Sequence, residues 1–413
     1  MKKVLAMMVL LSLVLLGCQS QTPLVYNVNK SEELRQYESE SIMESQFEES
    51  LEQQKNLAES ESLAQAQAEI WTKKKPEKEA VKVKGIYISS KVAGSATMQK
   101  IIDRIDATEL NAVVIDILDD NGRIEYAMSG DLINEIGSAE QTIPDIQSLM
   151  KSLKEHNIYS IARIVTFRDP FLESVKPEWL NHNADGTVFH DNSGMTWIDP
   201  YNKDAWEYKV QVAEQCADAG FDEIQFDYVR FCTEKGMNNV VYSDEETGGM
   251  GKTDIITEFV RFASDRLAAK GVFMSADVFG TIIGSYVDTV SVGQDYPVMA
   301  GAADYMCPMI YPSHYGNGNF GLDVPDIHPY EAILGACNAS QKDLALEYQE
   351  GVHQAKVRPW LQGFTASYLS AYIHYGAEEV RQEIQAVYDA GYDEWLIWNA
   401  SNDYPWDAFL QAS

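Results

Sequence analysis

Asp218-Ala219-Gly220-Phe221-Asp222 and Asp389-Ala390-Gly391-Tyr392-Asp393 are nearly the same phrase, written twice in one chain. In both, an amphipathic stretch (205–219, 376–390) runs into a glycine, and a short apolar run (223–229, 394–399) follows at once. Glycine just past a helix takes the left-handed conformation that closes it. Each phrase therefore reads as the seam where a helix feeds a strand, and its recurrence points to a repeated βα unit.

Working outward from these seams gives eight candidate strands, at 83–89, 112–118, 159–165, 223–229, 272–278, 305–311, 358–364 and 394–399. Most are rich in β-branched or aromatic residues and bounded by Gly, Asn or Asp. Further amphipathic stretches at 96–108, 143–156 and 253–269 precede the second, third and fifth strands. Strict alternation of this length predicts an α/β fold, a (β/α)8 TIM barrel over residues 81–413. An open doubly wound sheet would place a glycine-rich phosphate loop after its first strand, but Ile88-Ser89-Ser90-Lys91 stands there. The GxGxxG match Gly316-Asn317-Gly318-Asn319-Phe320-Gly321 runs into Asp323-Val324-Pro325-Asp326 rather than a helix, so it reads as a loop.

Ahead of the barrel the texture differs. Lys2 and Lys3 precede the apolar stretch 4–16, which is too short to span a bilayer and has the length of a signal-peptide core. It ends in Leu15-Leu16-Gly17-Cys18, which resembles the lipobox of bacterial lipoproteins. That resemblance implies a signal peptide at 1–17, a lipid on Cys18, and export to the outer face of the bacterial cell membrane. Residues 18–80 carry 13 Glu against 7 Lys plus Arg, with sparse apolar positions that do not sustain heptads. This segment reads as a solvated Glu/Gln/Ser-rich linker.

The 413 residues are 45% hydrophobic with a formal charge of −31. No cationic excess exists to displace counterions from phosphates, so nucleic acid is excluded as a general partner. Neutral polysaccharide fits. Cys216, Cys232, Cys307 and Cys337 form no CxxC or Cys/His cluster, so no zinc signature is present and buried free thiols are expected. Neither a GxSxG elbow nor HExxH occurs, and no metal or cofactor is called for.

In such barrels chemistry sits at the C-terminal ends of the strands. The fourth strand reads Gln225-Phe226-Asp227-Tyr228-Val229-Arg230 and the fifth Ser275-Ala276-Asp277-Val278-Phe279. Alternation along a strand turns Gln225 and Asp227 inward with Ile224, Phe226 and Tyr228 toward the helices. It likewise turns Ser275 and Asp277 inward, with Met274, Ala276 and Val278 outward. A carboxylate within a strand is costly to bury without a partner. Two on neighbouring strands, about 4.8 Å apart, could approach the roughly 5–5.5 Å separation of retaining glycosidases. Asp227 is the candidate nucleophile and Asp277 the candidate acid/base, with Asp116 in reserve as acid or sugar-orienting partner. Tyr87, Trp197, Tyr311, Tyr315 and Trp398 fall at or beyond strand ends, where rings could stack on pyranose faces. Arg168, Arg230, His314 and Asn399 could bond hydroxyl groups.

Four segments then suggest a family. Val83-Lys84-Gly85-Ile86-Tyr87-Ile88 opens the barrel and Gln225-Phe226-Asp227-Tyr228-Val229-Arg230-Phe231 forms its fourth strand. Met309-Ile310-Tyr311-Pro312-Ser313-His314-Tyr315 with Asn319-Phe320-Gly321, and the closing Trp395-Leu396-Ile397-Trp398-Asn399, complete the set. Together they resemble the "putative glycosyl hydrolase domain" family of bacterial TIM-barrel proteins, over about 81–410. Cys232 stands where relatives would carry Pro. The resemblance implies a hydrolase with Asp227 and Asp277 at the carboxylate positions of related retaining barrels, and it names no sugar. The expected function is thus a surface-tethered hydrolase of an extracellular or cell-wall polysaccharide. The alternatives are a barrel that binds glycan without cutting it, and an envelope scaffold whose stalk recruits a partner.

Overall fold

Short apolar runs with inward polar residues need a closed surface to bury both faces, and a barrel provides one. The computed structural model describes residues 72–74, 76 and 78–411; the expected signal peptide, Cys18 and most of the linker lie outside the described residues. The strands are β1 (Lys84–Ile88), β2 (Ala112–Leu118), β3 (Tyr159–Val165), β4 (Glu223–Asp227), β5 (Phe273–Phe279), β6 (Tyr305–Met309), β7 (Lys356–Val357), β8 (Trp360–Gln362) and β9 (Trp395–Trp398). All pairings are parallel. The order β5-β4-β3-β2-β1-β9-β8-β6 is closed by β5 against β6. β7 and β8 both pair with β6 and form one stave of eight. Pro359, which has no N–H to donate, interrupts that stave.

Between staves run α1 (Thr97–Asp106), α2 (Ile146–Glu155), α3 (Lys203–Ala219), α4 (Lys252–Ala269), the short α5 (Tyr296–Ala300), α6 (Pro329–Glu347) and α7 (Ala377–Asp389). The closed (β/α)8 barrel read from the sequence is the fold observed. Gly220 caps α3 at φ 110°, in the left-handed region that the repeated seam implied. Outward residues meet helices as alternation requires. Phe226 packs edge-on against Phe259 of α4 at 5.3 Å, and Trp206 of α3 reaches the same ring at 5.6 Å.

Several strands are shorter than expected or, at the seventh stave, split in two, and at β4 the difference bears on the site. β4 stops at Asp227, because Tyr228 turns to φ 51°, a conformation that costs a bulky L-residue energy. Tyr228 therefore does not face the helices. Its hydroxyl reaches the rim, where Arg168 Nη1 donates to it at 3.1 Å.

The lower barrel is plugged by charge. Arg358 Nη1 meets Glu223 at 2.8 Å, its Nε meets Glu394 at 2.9 Å, and its guanidinium lies 3.8 Å from the centre of the Tyr305 ring. Tyr159 donates to Glu223 at 3.0 Å. The apolar core of the barrel, which includes Val114, Ile161, Phe273, Trp360 and Leu396, also takes in Tyr159 and Tyr305 from this plug. The same end holds the last linker residues: Lys73 Nζ contacts Asp304 at 2.9 Å and Ser264 at 2.6 Å, and Lys78 contacts Asp222 at 2.5 Å. All four barrel cysteines are free and buried. Among the described residues no helix is long and apolar enough to cross a membrane.

Candidate active site

The C-terminal ends of β1 to β5 hold a buried acidic cluster around one cation. Arg163, on β3, is 2% exposed. Its Nη1 donates to Asp116 Oδ1 of β2 at 2.7 Å, while Nε and Nη2 both donate to Asp227 Oδ2, at 2.9 and 2.6 Å. Register explains the meeting, since Asp116 pairs with Arg163 across β2 and β3, and Val165 pairs with Asp227 across β3 and β4. The other oxygen of Asp227 accepts the backbone N–H of Tyr228 at 2.6 Å. Such charge-assisted donors suit an ionised carboxylate.

Asp277 lies on the far side of Asp227. The β4–β5 ladder pairs Gln225 with Ser275 and Phe226 with Ala276, so the next residue on each strand is an aspartate. Its Oδ1 accepts the indole N–H of Trp360 at 2.7 Å. Burial, and then the charge of Asp227, push the Asp277 carboxyl well above the usual carboxylate range, against the opposing pull of Trp360. Two neighbouring carboxyls, one gripped by a guanidinium and one driven toward its acid form, can divide nucleophile and proton-donor roles. Burial also raises Asp116, opposed by Arg163 and by the Tyr87 hydroxyl that donates to it.

Comparison with known proteins identifies the domain that carries this cluster. The model of the family described as "Putative glycosyl hydrolase domain" matches residues 85–404. The chain belongs to this family. Its domain is accordingly a glycoside hydrolase domain, carried on the barrel that the family resemblance implied. A hypothetical protein from Ruminiclostridium thermocellum is 38% identical, over 47% of this chain and 97% of its own, with a TM-score of 0.43. The PgaB (BpsB) glycoside hydrolase domain of Bordetella bronchiseptica shares the fold at 11% identity, over 81% of this chain and all of its own, with a TM-score of 0.59. No curated protein matches the sequence.

Within this glycosyl hydrolase domain the other candidate residues divide into two groups. Trp398 is partly buried at the mouth, with its ring 4.2 Å from Tyr87 and the Arg163 guanidinium 5.5 Å from its centroid. Tyr311 is buried beside the carboxylates, and His314 is exposed with its ring edge-on to Tyr311 at 4.9 Å. Trp398 and Tyr311 thus lie beside the cluster of Arg163, Asp227 and Asp277.

The second group is engaged within the protein. Trp197 is 2% exposed, its indole N–H held by Asp191 at 3.0 Å and its ring 4.8 Å from the Arg230 guanidinium, which leaves no open face for a sugar. Arg230 donates to the Phe231 carbonyl and lies on Phe279 at 4.3 Å. Arg168 bridges Asp120 and Tyr228. Asn399 donates to the Gly363 and Asp403 carbonyls and accepts from Ser401, so its amide pins the loop after β9. Tyr315 is buried, its ring 4.9 Å from Phe320.

Sequence reasoning missed Arg163, although a lone cation in the apolar run Ser160-Ile161-Ala162-Arg163-Ile164 carries the same signal that singled out Asp227. It also passed over Asp120, whose half-exposed carboxylate stands 3.5 Å from Arg163 at the mouth. Among the described residues no group of three or more His, Cys, Asp or Glu could hold a metal ion.

Proposed function

We propose that the chain is a retaining glycoside hydrolase acting on an extracellular or cell-wall polysaccharide, tethered to the outer face of the membrane through lipidated Cys18. The observation that carries the mechanism is the asymmetric pair at the ends of β4 and β5. Asp227 is supplied with three N–H donors, and Asp277 is buried next to it and raised. An Asp227 oxygen attacks the anomeric carbon as the glycosidic C–O bond breaks, and the leaving oxygen takes the Asp277 proton. Water then attacks the glycosyl ester, gives its proton to Asp277 and frees Asp227. Asp116, fixed by Arg163 and Tyr87, orients the sugar or the clamp. The tether rests on the Leu15-Leu16-Gly17-Cys18 motif alone.

The test is reducing-end release from a panel of bacterial and plant polysaccharides by residues 72–413, compared with Asp227→Asn and Asp277→Asn. Each substitution should abolish release, and full activity in either removes that residue from the mechanism. Cys18→Ser in the full chain should move the protein out of the membrane fraction; unchanged fractionation rejects the tether. Binding without cleavage is favoured by one observation, the 2% exposure of Asp277. It would be upheld by polymer binding with no release from any substrate.

A further inference from the structure

The loop that follows β8, residues 363–376, contains no Lys, Arg, Asp or Glu, although the chain carries a charge of −31. It reads Gly-Phe-Thr-Ala-Ser-Tyr-Leu-Ser-Ala-Tyr-Ile-His-Tyr-Gly. Tyr368 is 68% exposed and Tyr372 45%. The exposed large aromatics among the described residues are Tyr286, Phe320, Tyr348, Tyr368 and Tyr372. All but Tyr348 stand in the connections that follow β5, β6 and β8, Tyr286 at the start of a short helix, and these are neighbouring staves at the catalytic rim.

This loop is held at its foot. Glu383 of α7 accepts the Gln362 backbone N–H at 2.8 Å and the Tyr375 hydroxyl at 2.6 Å. Asp326 accepts the Gln362 side-chain amide at 2.9 Å and the Ile373 N–H at 3.4 Å. The Tyr368 hydroxyl reaches Ser313 at 3.4 Å, between Tyr311 and His314 of the neighbouring loop. A ring path connects the crest to the carboxylates: Phe364 meets Tyr311 at 5.8 Å, both belong to the cluster that includes Trp360, and Trp360 donates to Asp277.

We infer that Tyr368 and Tyr372 form an outlying subsite that holds a neutral polysaccharide chain beyond the bond being cut. Anchored tyrosines offer large ring faces with little conformational entropy to lose. A pyranose presents an apolar C–H face to such a ring and hydroxyl groups to Ser367, Ser370 and His374 around it. Neutral polymer is the occupant because residues 310–328 and 363–376 contain no Lys or Arg to pair with an anionic one. The inference rests on the proposed hydrolase only for the direction the chain runs, and binding tests it separately.

The measurement is affinity electrophoresis of the full chain carrying Asp227→Asn, which prevents turnover, in gels containing hydroxyethyl cellulose, xylan, glycol chitin or dextran, with polygalacturonate as the anionic probe. At least one neutral polymer should retard the protein, and Tyr368→Ala/Tyr372→Ala should weaken that retardation about tenfold, as loss of two stacking rings implies. Circular dichroism should match between the two proteins. The inference is overturned if no neutral polymer retards the protein, if the double variant is retarded equally, or if polygalacturonate binds as well. Tyrosine-dependent binding without hydrolysis by wild type would sink the hydrolase and keep the subsite. Hydrolysis with tyrosine-independent binding does the reverse.

Discussion

Replacing Arg163 by methionine removes the cation that faces buried Asp116 and Asp227 while keeping much of the volume. The guanidinium makes three short contacts, at 2.7 Å to Asp116 and at 2.9 and 2.6 Å to Asp227, whose residues are 6% and 7% exposed. Removing one partner of a buried ion pair costs about 3–5 kcal/mol, because the remaining charge is left unneutralised. Here two are left, so the loss at pH 7.5 should reach at least that range. It should shrink as pH falls, because burial pushes the Asp116 carboxyl up and its protonation relieves the repulsion. Arg163→Lys should recover only part, since an ammonium cannot reproduce the fork that holds Asp227. Urea unfolding of residues 72–413 at pH 7.5 and pH 5 measures this as a shift in midpoint at unchanged slope. A loss below about 1 kcal/mol at pH 7.5, or one independent of pH, would refute the reasoning.

Asp277 supplies a second pH test. Its folded-state value lies above the ordinary carboxylate value of about 3.9. The stability it contributes is therefore fully present below that ordinary value and is lost as pH rises through the raised one. Asp277→Asn, which cannot titrate, should gain stability relative to wild type as pH rises from 5 to 9 in urea titrations. A constant difference would contradict the assignment. Trp360→Phe removes the indole donor that holds Asp277 down, so the alkaline limb of hydrolysis should move to higher pH; an unmoved limb would deny that Asp277 is the acid. Away from the site, Lys209→Met strands Asp169, its fully buried partner at 2.7 Å, and should cost about 3–5 kcal/mol in the same assay.

Much of this was legible in the sequence because barrels repeat one rule. β2 and β3 match the expected 112–118 and 159–165, where long β-branched runs leave no ambiguity. The end of β4 was not legible, since alternation assumes extended backbone and Tyr228 abandons it at φ 51°. Side-chain type at a strand end also says nothing about which groups the fold itself engages. Asn399 and Trp197 look like ligand contacts in sequence, but their polar atoms are held by Gly363, Asp403, Ser401 and Asp191. Arg163 was readable by the criterion applied to Asp227, but its partners are on other strands and only register brings them together. Lys73 belongs to a stretch whose composition is that of a linker, and its burial depends on Asp304 some 230 residues away, which no local pattern records.

The division of labour between the two aspartates is tested most directly by trapping the ester. Residues 72–413 would be incubated with a panel of 2-deoxy-2-fluoroglycosyl fluorides and followed by intact-mass spectrometry, with peptide mapping of any product. The expected result is a single glycosyl adduct on Asp227, absent from Asp227→Asn and slow to form in Arg163→Lys. An adduct on another residue, or a hydrolytically active protein that inverts the anomeric centre and forms no adduct, would contradict the account.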